Sequence, residues 1–281
     1  MALVVNTNMA SLNTQRNLGK SQADLHTSMQ RLSSGLRVNS AKDDASGLYS
    51  SELMTSDIRG LNQAVRNAAD GISLAQTAEG ALAEIGNNMQ RIREIAVQAA
   101  NDTTENRTGL QKEVDQLTQE ISRIIHTTEF NGKFMLSAGV NLTFQVGADG
   151  KTNNQVLVSG VAINTNIGVS GGYNANLTAT GTIDITTSAA AFSVLNNLDN
   201  AIISVAETRA TYGAVQNRFD AVISNLQNYS ENLTAARSRI LDADFAQETA
   251  KLTRSQIMQQ AGTSILAQAN QVPQGALSLL Q

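Results

Sequence analysis

Apolar residues recur in steps of three and four along much of this chain. Leu195, Leu198, Ile202, Val205, Tyr212, Val215, Phe219, Val222, Leu226, Tyr229, Leu233, Ala236 and Ile240 keep that register, and only the Arg209 position breaks it. A 3-4 pattern this long predicts a single coiled-coil or bundle helix. At about 1.5 Å per residue it spans roughly 70 Å, and Thr187 or Ser188 is placed to cap its start. A matching segment lies earlier: Ile58, Leu61, Val65, Ala68, Ile72 and Ala75, continued with some drift by Leu82, Ile85, Met89 and Ile92. It fades at Ala99-Ala100, and Asn101-Asp-Thr-Thr104 reads as a turn. Leu110, Val114, Leu117, Ile121 and Ile124 then mark a third helix. Three such helices shield one another's stripes, with Val205, Tyr212, Phe219, Leu226 and Leu233 as the candidate rod core.

Both ends of the chain carry helical patterns of their own. Leu18, Leu25, Met29, Leu32 and Leu36 form one stripe. Phe245, Leu252, Met258, Ile265, Leu266, Ala269 and Val272 form a looser one, with Leu277, Leu279 and Leu280 beyond Pro273. Chain ends are ordinarily polar and poorly ordered. Stripes with no evident shield inside the chain imply that the ends pair and then pack on other subunits. The candidate self-assembly residues are Leu18, Leu25, Leu32, Leu36, Leu252, Ile265 and Leu266. The plainer alternative folds both ends back onto the central bundle.

Between Glu129 and Thr187 the helical period disappears, and Gly, Asn, Thr and Val dominate. Leu142–Val146 alternates in strand fashion, Gly147-Ala-Asp-Gly150 makes a turn and Gln155–Val158 is the return strand. Thr180–Thr186 is a further weak strand, and Asn164–Asn176 reads as exposed loop. The expected fold class is therefore mainly α: a long coiled-coil or helical-bundle rod with paired terminal helices and a small central β-hairpin region.

Composition narrows the function. Aromatic residues are only 4% of the chain and Trp is absent, so the core is built from Leu, Ile, Val and Ala, the material of close-packed helices. The net charge of −4 argues against nucleic acid, which needs a basic face. With no cysteine, disulfides and thiolate sites are excluded. Met1–Leu12 lacks the pattern of a cleaved signal, and no run approaches the ~20 apolar residues of a membrane span. By default that reads as cytoplasmic, with export by a route that reads no cleaved signal left open.

The search for chemistry yields no catalytic, cofactor or metal site, so an enzyme is not expected. His26 and His126 stand on different predicted helices, outside any zinc motif. Asp43-Asp44 and Asp242-Ala-Asp244 lack the glycine turn and closing Glu of a calcium loop. They lie where helices start, which suits carboxylates on helix N-terminal amides. Arg91, Arg93, Glu94 and Glu113 read as a solvated, ion-paired face that, held on a rigid bundle, could also serve for docking.

Several strings carry a resemblance. Val5-Asn-Thr-Asn-Met-Ala-Ser-Leu12, Arg31-Leu-Ser-Ser-Gly-Leu-Arg37, Asn39-Ser-Ala-Lys-Asp-Asp-Ala-Ser-Gly47, Gln90-Arg-Ile-Arg-Glu-Ile-Ala-Val-Gln98 and Glu129-Phe-Asn-Gly132 resemble the N-terminal region of bacterial flagellins. Gly213-Ala-Val-Gln-Asn-Arg-Phe219, Ala235-Ala-Arg-Ser-Arg-Ile240, Asp242-Ala-Asp-Phe245 and Gln268-Ala-Asn-Gln-Val-Pro-Gln274 resemble the C-terminal region. The resemblance covers roughly 1–147 and 190–281.

It implies the subunit of the bacterial flagellar filament, exported unfolded through the flagellar channel by a type III apparatus and located outside the cell. It implies three regions: 1–42 plus 243–281 as the inner, filament-core domain; 43–150 plus 190–242 as the rod with its β-hairpin; and 151–189 as a short surface insert in place of the larger outer domains of longer flagellins. The implied partners are copies of the chain itself, a flagellar export chaperone, the filament cap and the hook-junction proteins. Arg91, Ile95 and Glu113 are similar to residues through which flagellins engage the flagellin-sensing Toll-like receptor of animal hosts, with Ile95 standing where Leu is commoner. A hook-filament junction protein and a soluble coiled-coil adaptor are the alternatives.

Overall fold

The computed structural model describes residues 7–137, 139–160, 163 and 183–278, with side chains up to residue 271. Among the described residues the long helices are α1 (Met9–Ser34), α2 (Ala45–Ala100), α3 (Arg107–Thr127), α4 (Ser188–Leu241) and α5 (Phe245–Ser278). Between α3 and α4 lie two small antiparallel hairpins, β1 (Glu129–Phe130) with β2 (Lys133–Phe134), and β3 (Leu142–Gln145) with β4 (Gln155–Val158). Contacts divide the chain into two units: Met1–Ser56 with Glu231–Gln281, and Asp57–Ser230.

In the unit Asp57–Ser230, burial follows a strict heptad. On α2 one line of buried positions, Leu61, Ala64, Ala68, Gly71, Ala75, Ala78, Leu82, Ile85, Met89, Ile92, Ala96 and Ala99, is spaced three and four throughout, and Leu74 and Ile95 are buried beside it. The drift expected from the sequence is absent. Val65 and Ile72, read there as seam residues, are half-buried flanks, because Ala64 and Gly71 take the seam. Ala64 and Gly71 carry less apolar bulk than the neighbouring Val65 and Ile72, yet their small size lets the helices approach closely.

Their partner is α4, buried at Ala191, Val194, Leu198, Ala201, Val205, Thr208, Tyr212, Phe219 and Leu226. The Arg93 Nε–Asp199 ion pair at 2.6 Å and the Ser188 Oγ donation to the Ala100 carbonyl at 2.7 Å set an antiparallel register. That register lays the small stretch Ala64–Ala78 along the bulky Tyr212, Phe219 and Leu226, so volume on one helix is matched by its lack on the other. The break at Arg209 is also explained. Thr208 fills the seam, its hydroxyl satisfied by the Ser204 carbonyl at 2.8 Å, while Arg209 turns outward to Glu79 at 3.7 Å. The third helix adds Val114, Ile121 and Ile125. Of the candidate rod core, Val205, Tyr212, Phe219 and Leu226 are buried here, and Leu233, in the other unit, is half-buried.

Capping residues delimit the helices. Thr187 Oγ1 accepts from the Ala190 amide at 3.2 Å and Asn106 Oδ1 from the Gly109 amide at 3.3 Å. The carboxylate pairs act on backbone amides: Asp44 on Gly47, and Asp244 on Ala246 and Gln247. Asp43 instead closes the preceding loop on the Asn39 and Ser40 amides.

The hairpin β3–β4 runs in the register Leu142↔Val158 through Gln145↔Gln155. Its connection is longer than a four-residue turn and ends in the short 3-10 segment Thr152–Asn154. Asn67 Nδ2 donates to the Gln145 carbonyl at 2.9 Å, and Phe144 meets Phe219 edge-on at 5.5 Å. The smaller hairpin turns at Asn131-Gly132, with φ of 50° and 72°. This Asn-Gly pair was the sequence signal for a hairpin that went unread. Of the expected strand Thr180–Thr186, only Ile183–Thr186 is described, and it joins no ladder. The Gln111 side chain takes the place of a partner strand, donating to the Ile183 carbonyl at 2.6 Å and accepting from the Ile185 amide at 2.8 Å. The expected loop Asn164–Asn176 lies outside the described residues.

Gly71 is where packing and propensity oppose each other. A Cβ built there lies 2.6 Å from the Phe219 ring, which is fully buried and met edge-on by Phe144. Ala favours a helix by about 1 kcal/mol over Gly, and overpacking costs about 1–3 kcal/mol. Gly71→Ala is expected to lower stability in urea unfolding. Gly80→Ala, with nothing within 4 Å of the new carbon, is expected to raise it by about 0.5–1 kcal/mol.

Candidate functional site

In the unit made of the two chain ends, α1 and α5 form an antiparallel pair. Its seam runs in heptads on both sides: Ser11, Thr14, Leu18, Ser21, Leu25, Ser28 and Leu32 from α1, and Glu248, Leu252, Ser255, Gln259, Gly262, Leu266 and Ala269 from α5, all buried or half-buried. Within the α1 side of the seam Leu appears at every seventh residue, with Ser or Thr between. The seam is thin and half polar, unlike the Ala and Ile seam of α2.

Polar contacts fix its register at both ends. Asn8 caps α1 by accepting from the Ser11 amide at 3.1 Å and donates from Nδ2 to the Ala269 carbonyl at 2.7 Å. Ser11 Oγ donates to Asn270 at 2.9 Å. At the other end, Glu248 is 5% exposed and accepts from Ser28 Oγ at 2.8 Å and from Lys251 Nζ at 3.1 Å, with Arg31 at 3.9 Å. Between them Gly262 gives room for Leu18, whose Cδ1 lies 3.2 Å from a carbon built on the glycine. Where the chain turns back, Leu36 bridges Asp242, the Arg37 guanidinium donates to the Ile240 carbonyl at 2.7 Å and the Ala243 amide donates to the Gly35 carbonyl at 2.9 Å. The orphan carbonyls at the end of α4 are thus capped from a segment two hundred residues away in sequence.

The seven candidate self-assembly residues therefore divide. Leu18, Leu25, Leu32, Leu252 and Leu266 lie in the seam, and Leu36 sits at the turn. Ile265 alone faces outward, 55% exposed. Met29, Phe245 and Met258, read with the terminal stripes from the sequence, also face outward, as do Met9, Leu12 and Ile257, which spacing did not pick out; each is about half exposed or more. On α5, Met258, Ala261 and Ile265 continue the 3-4 spacing on a side turned away from α1. The missed signal was a second heptad stripe beside the first.

A second feature lies in the unit Asp57–Ser230. Arg91 donates from Nε and Nη2 to Glu113 Oε1 at 3.0 and 2.8 Å, and from Nη1 to Glu94 at 2.9 Å. These bonds, that to Glu94 first, hold the guanidinium above its ordinary pKa. All three side chains are exposed. Ile95 is not brought to this surface: it is 1% exposed and belongs to the core. The exposed large apolar residue on this stretch of α2 is Val97.

Glu248 links the first feature to pH. Burial raises its pKa, but the Ser28 and Lys251 hydrogen bonds and the charges of Lys251 and Arg31 outweigh that and leave it below the usual glutamate value. A carboxylate depressed in the folded state stabilises above its unfolded pKa, and that contribution is lost as pH falls through the folded pKa. The α1–α5 pair is therefore expected to be fully supported at neutral pH and to lose helicity from about pH 4 downward. Glu248→Gln is expected to flatten that dependence when followed by circular dichroism.

The model of the bacterial flagellin N-terminal helical region matches residues 5–141, and that of the C-terminal helical region matches 195–280. A flagellin from Halalkalibacterium halodurans is 44% identical over 282 residues, covering 99% of this chain and all of that protein. One from Bacillus subtilis is 41% identical over 302 residues, covering 99% of both. Among solved structures, a flagellar hook-associated protein from Vibrio parahaemolyticus shares the fold with a TM-score of 0.59 at 14% identity, over 71% of this chain and all of that one.

Proposed function

We propose, from the premise that this chain belongs to the bacterial flagellin family and is a structural subunit of the flagellar filament, that its two ends are the polymerising surface. The observation that carries this is the set of outward apolar residues on α1 and α5. A chain ordering its ends gives up about 1–2 kcal/mol of backbone entropy per residue. A half-polar seam returns little of it. Each large side chain buried against a neighbouring copy contributes about 1.5–3 kcal/mol more, so order in the ends and growth of the filament reinforce each other.

In this reading, 1–42 with 243–281 is the inner domain at the filament core. Residues 43–150 with 190–242 form the rod, and 151–189 is a surface insert. The chain leaves the cell unfolded through the flagellar channel and acts outside it, handled by an export chaperone and meeting cap and hook-junction proteins at the filament ends. It has no enzymatic role.

Negative-stain electron microscopy tests the assembly reading. Ile265→Asp or Ile257→Asp is expected to stop filament growth, a buried unpaired charge costing about 3–5 kcal/mol, while leaving helicity of the free subunit unchanged. Loss of about 35 residues from either end is expected to leave Asp57–Ser230 folded and unable to polymerise. Filaments from either protein would refute the assignment.

We also propose that Arg91 and Glu113 contact the flagellin-sensing Toll-like receptor, with Ile95 shaping α2 from beneath. Arg91→Ala or Glu113→Ala is expected to weaken a receptor-reporter response by roughly tenfold or more. An unchanged response would reject this.

A further inference from the structure

Of the seven methionines, six lie among the described residues, and they differ in exposure. Met89 and Met135 are 0% and 1% exposed, within the core of the unit Asp57–Ser230. Met54 is half-buried. Met9, Met29 and Met258 are 69%, 57% and 52% exposed, and all three lie on α1 or α5. Met258 belongs to the outward stripe with Ile257 and Ile265, and Met9 lies one turn from the exposed Leu12.

A thioether is the one side chain on that surface open to reversible oxidation. The chain has no cysteine to compete for oxidant. Reaction with a peroxide transfers one oxygen atom to sulfur: the sulfide becomes a sulfoxide and hydrogen peroxide becomes water. The product is polar, with a strong acceptor oxygen, and reductases of the methionine sulfoxide class return it to the thioether, a dithiol donor being oxidised to a disulfide and the oxygen leaving as water. On a surface that stays wet the change matters little. On a surface that must be dried against another subunit, the sulfoxide oxygen has to lose its water without a designed partner.

We propose that Met9, Met29 and Met258 are separate reversible oxidation sites that together gate polymerisation: peroxide-class oxidants convert them in the free subunit and hold it out of the filament, and reduction by a dithiol-driven sulfoxide reductase readmits it. The inference rests on the assembly reading above. It also predicts an asymmetry. Once the subunit is in the filament the three thioethers are covered, so established filament is protected and newly arriving subunits are the vulnerable form.

The test uses the full chain, treated with hydrogen peroxide as monomer, mapped by peptide mass spectrometry and then seeded with filament fragments. Sulfoxide is expected at Met9, Met29 and Met258, with Met89 and Met135 intact. Far-ultraviolet circular dichroism should be unchanged. The monomer concentration left at equilibrium should rise about tenfold or more, tenfold corresponding to ~1.4 kcal/mol. Treatment with sulfoxide reductase should restore growth.

A triple variant Met9→Leu, Met29→Leu, Met258→Leu keeps apolar volume. It should polymerise equally well before and after peroxide. The proposal is overturned if oxidised wild type grows like untreated protein, or if the triple variant is arrested as the wild type is. In both cases the assembly reading stands. Untreated wild type that never polymerises would overturn that reading and this proposal together.

Discussion

A helix of many turns holds in water only while one stripe of it is kept dry, and that constraint organises this chain. In Asp57–Ser230 the constraint is met internally. The small residues Ala64, Ala68, Gly71, Ala75 and Ala78 of α2 admit the aromatic rings of α4, and Phe144 from the hairpin packs edge-on against the same Phe219 that Gly71 makes room for. Helix, hairpin and helix thus converge on one ring. The dry stripe runs unbroken from there to Ala99 and Ala191.

The two chain ends meet the same constraint only in part. Their seam alternates Leu with Ser, Thr and Gln, and spends its specificity on polar contacts at Asn8, Ser11, Ser28 and Glu248. Such contacts choose register and orientation more than they add stability. Apolar residues outside the seam, Phe245, Ile257, Met258 and Ile265 on α5 and Met9, Leu12 and Met29 on α1, are left to water. For a filament subunit that division is useful. The register of the ends is set by the chain itself, and the driving force for drying them is held back for other copies.

Much of this was legible in the heptads. The helices α2, α3 and α4, the paired ends and the β3–β4 hairpin all follow from spacing and turn chemistry. What spacing did not reveal has identifiable causes. Seam positions filled by Gly, Ala or Thr, as at Gly71, Ala64 and Thr208, carry too little apolar bulk to register. Burial also depends on a partner that spacing does not name. Leu18 and Leu266 share a seam while Ile265, one residue away, faces out, and Ile95 belongs to the core although its neighbours Arg91 and Glu94 are exposed. The Gln111 side chain standing in for a strand beside Ile183 and Ile185 has no sequence signature at all.

Hydrogen exchange measured on free subunits and on filaments would test most directly whether the ends depend on assembly. Coupled ordering and growth predicts that amides of α1 and α5 exchange far faster than those of α2 and α4 in the free subunit, and become as slow as them in the filament. Equal protection of all four helices in the free subunit, unchanged on polymerisation, would contradict it and make the terminal pair a self-sufficient fold.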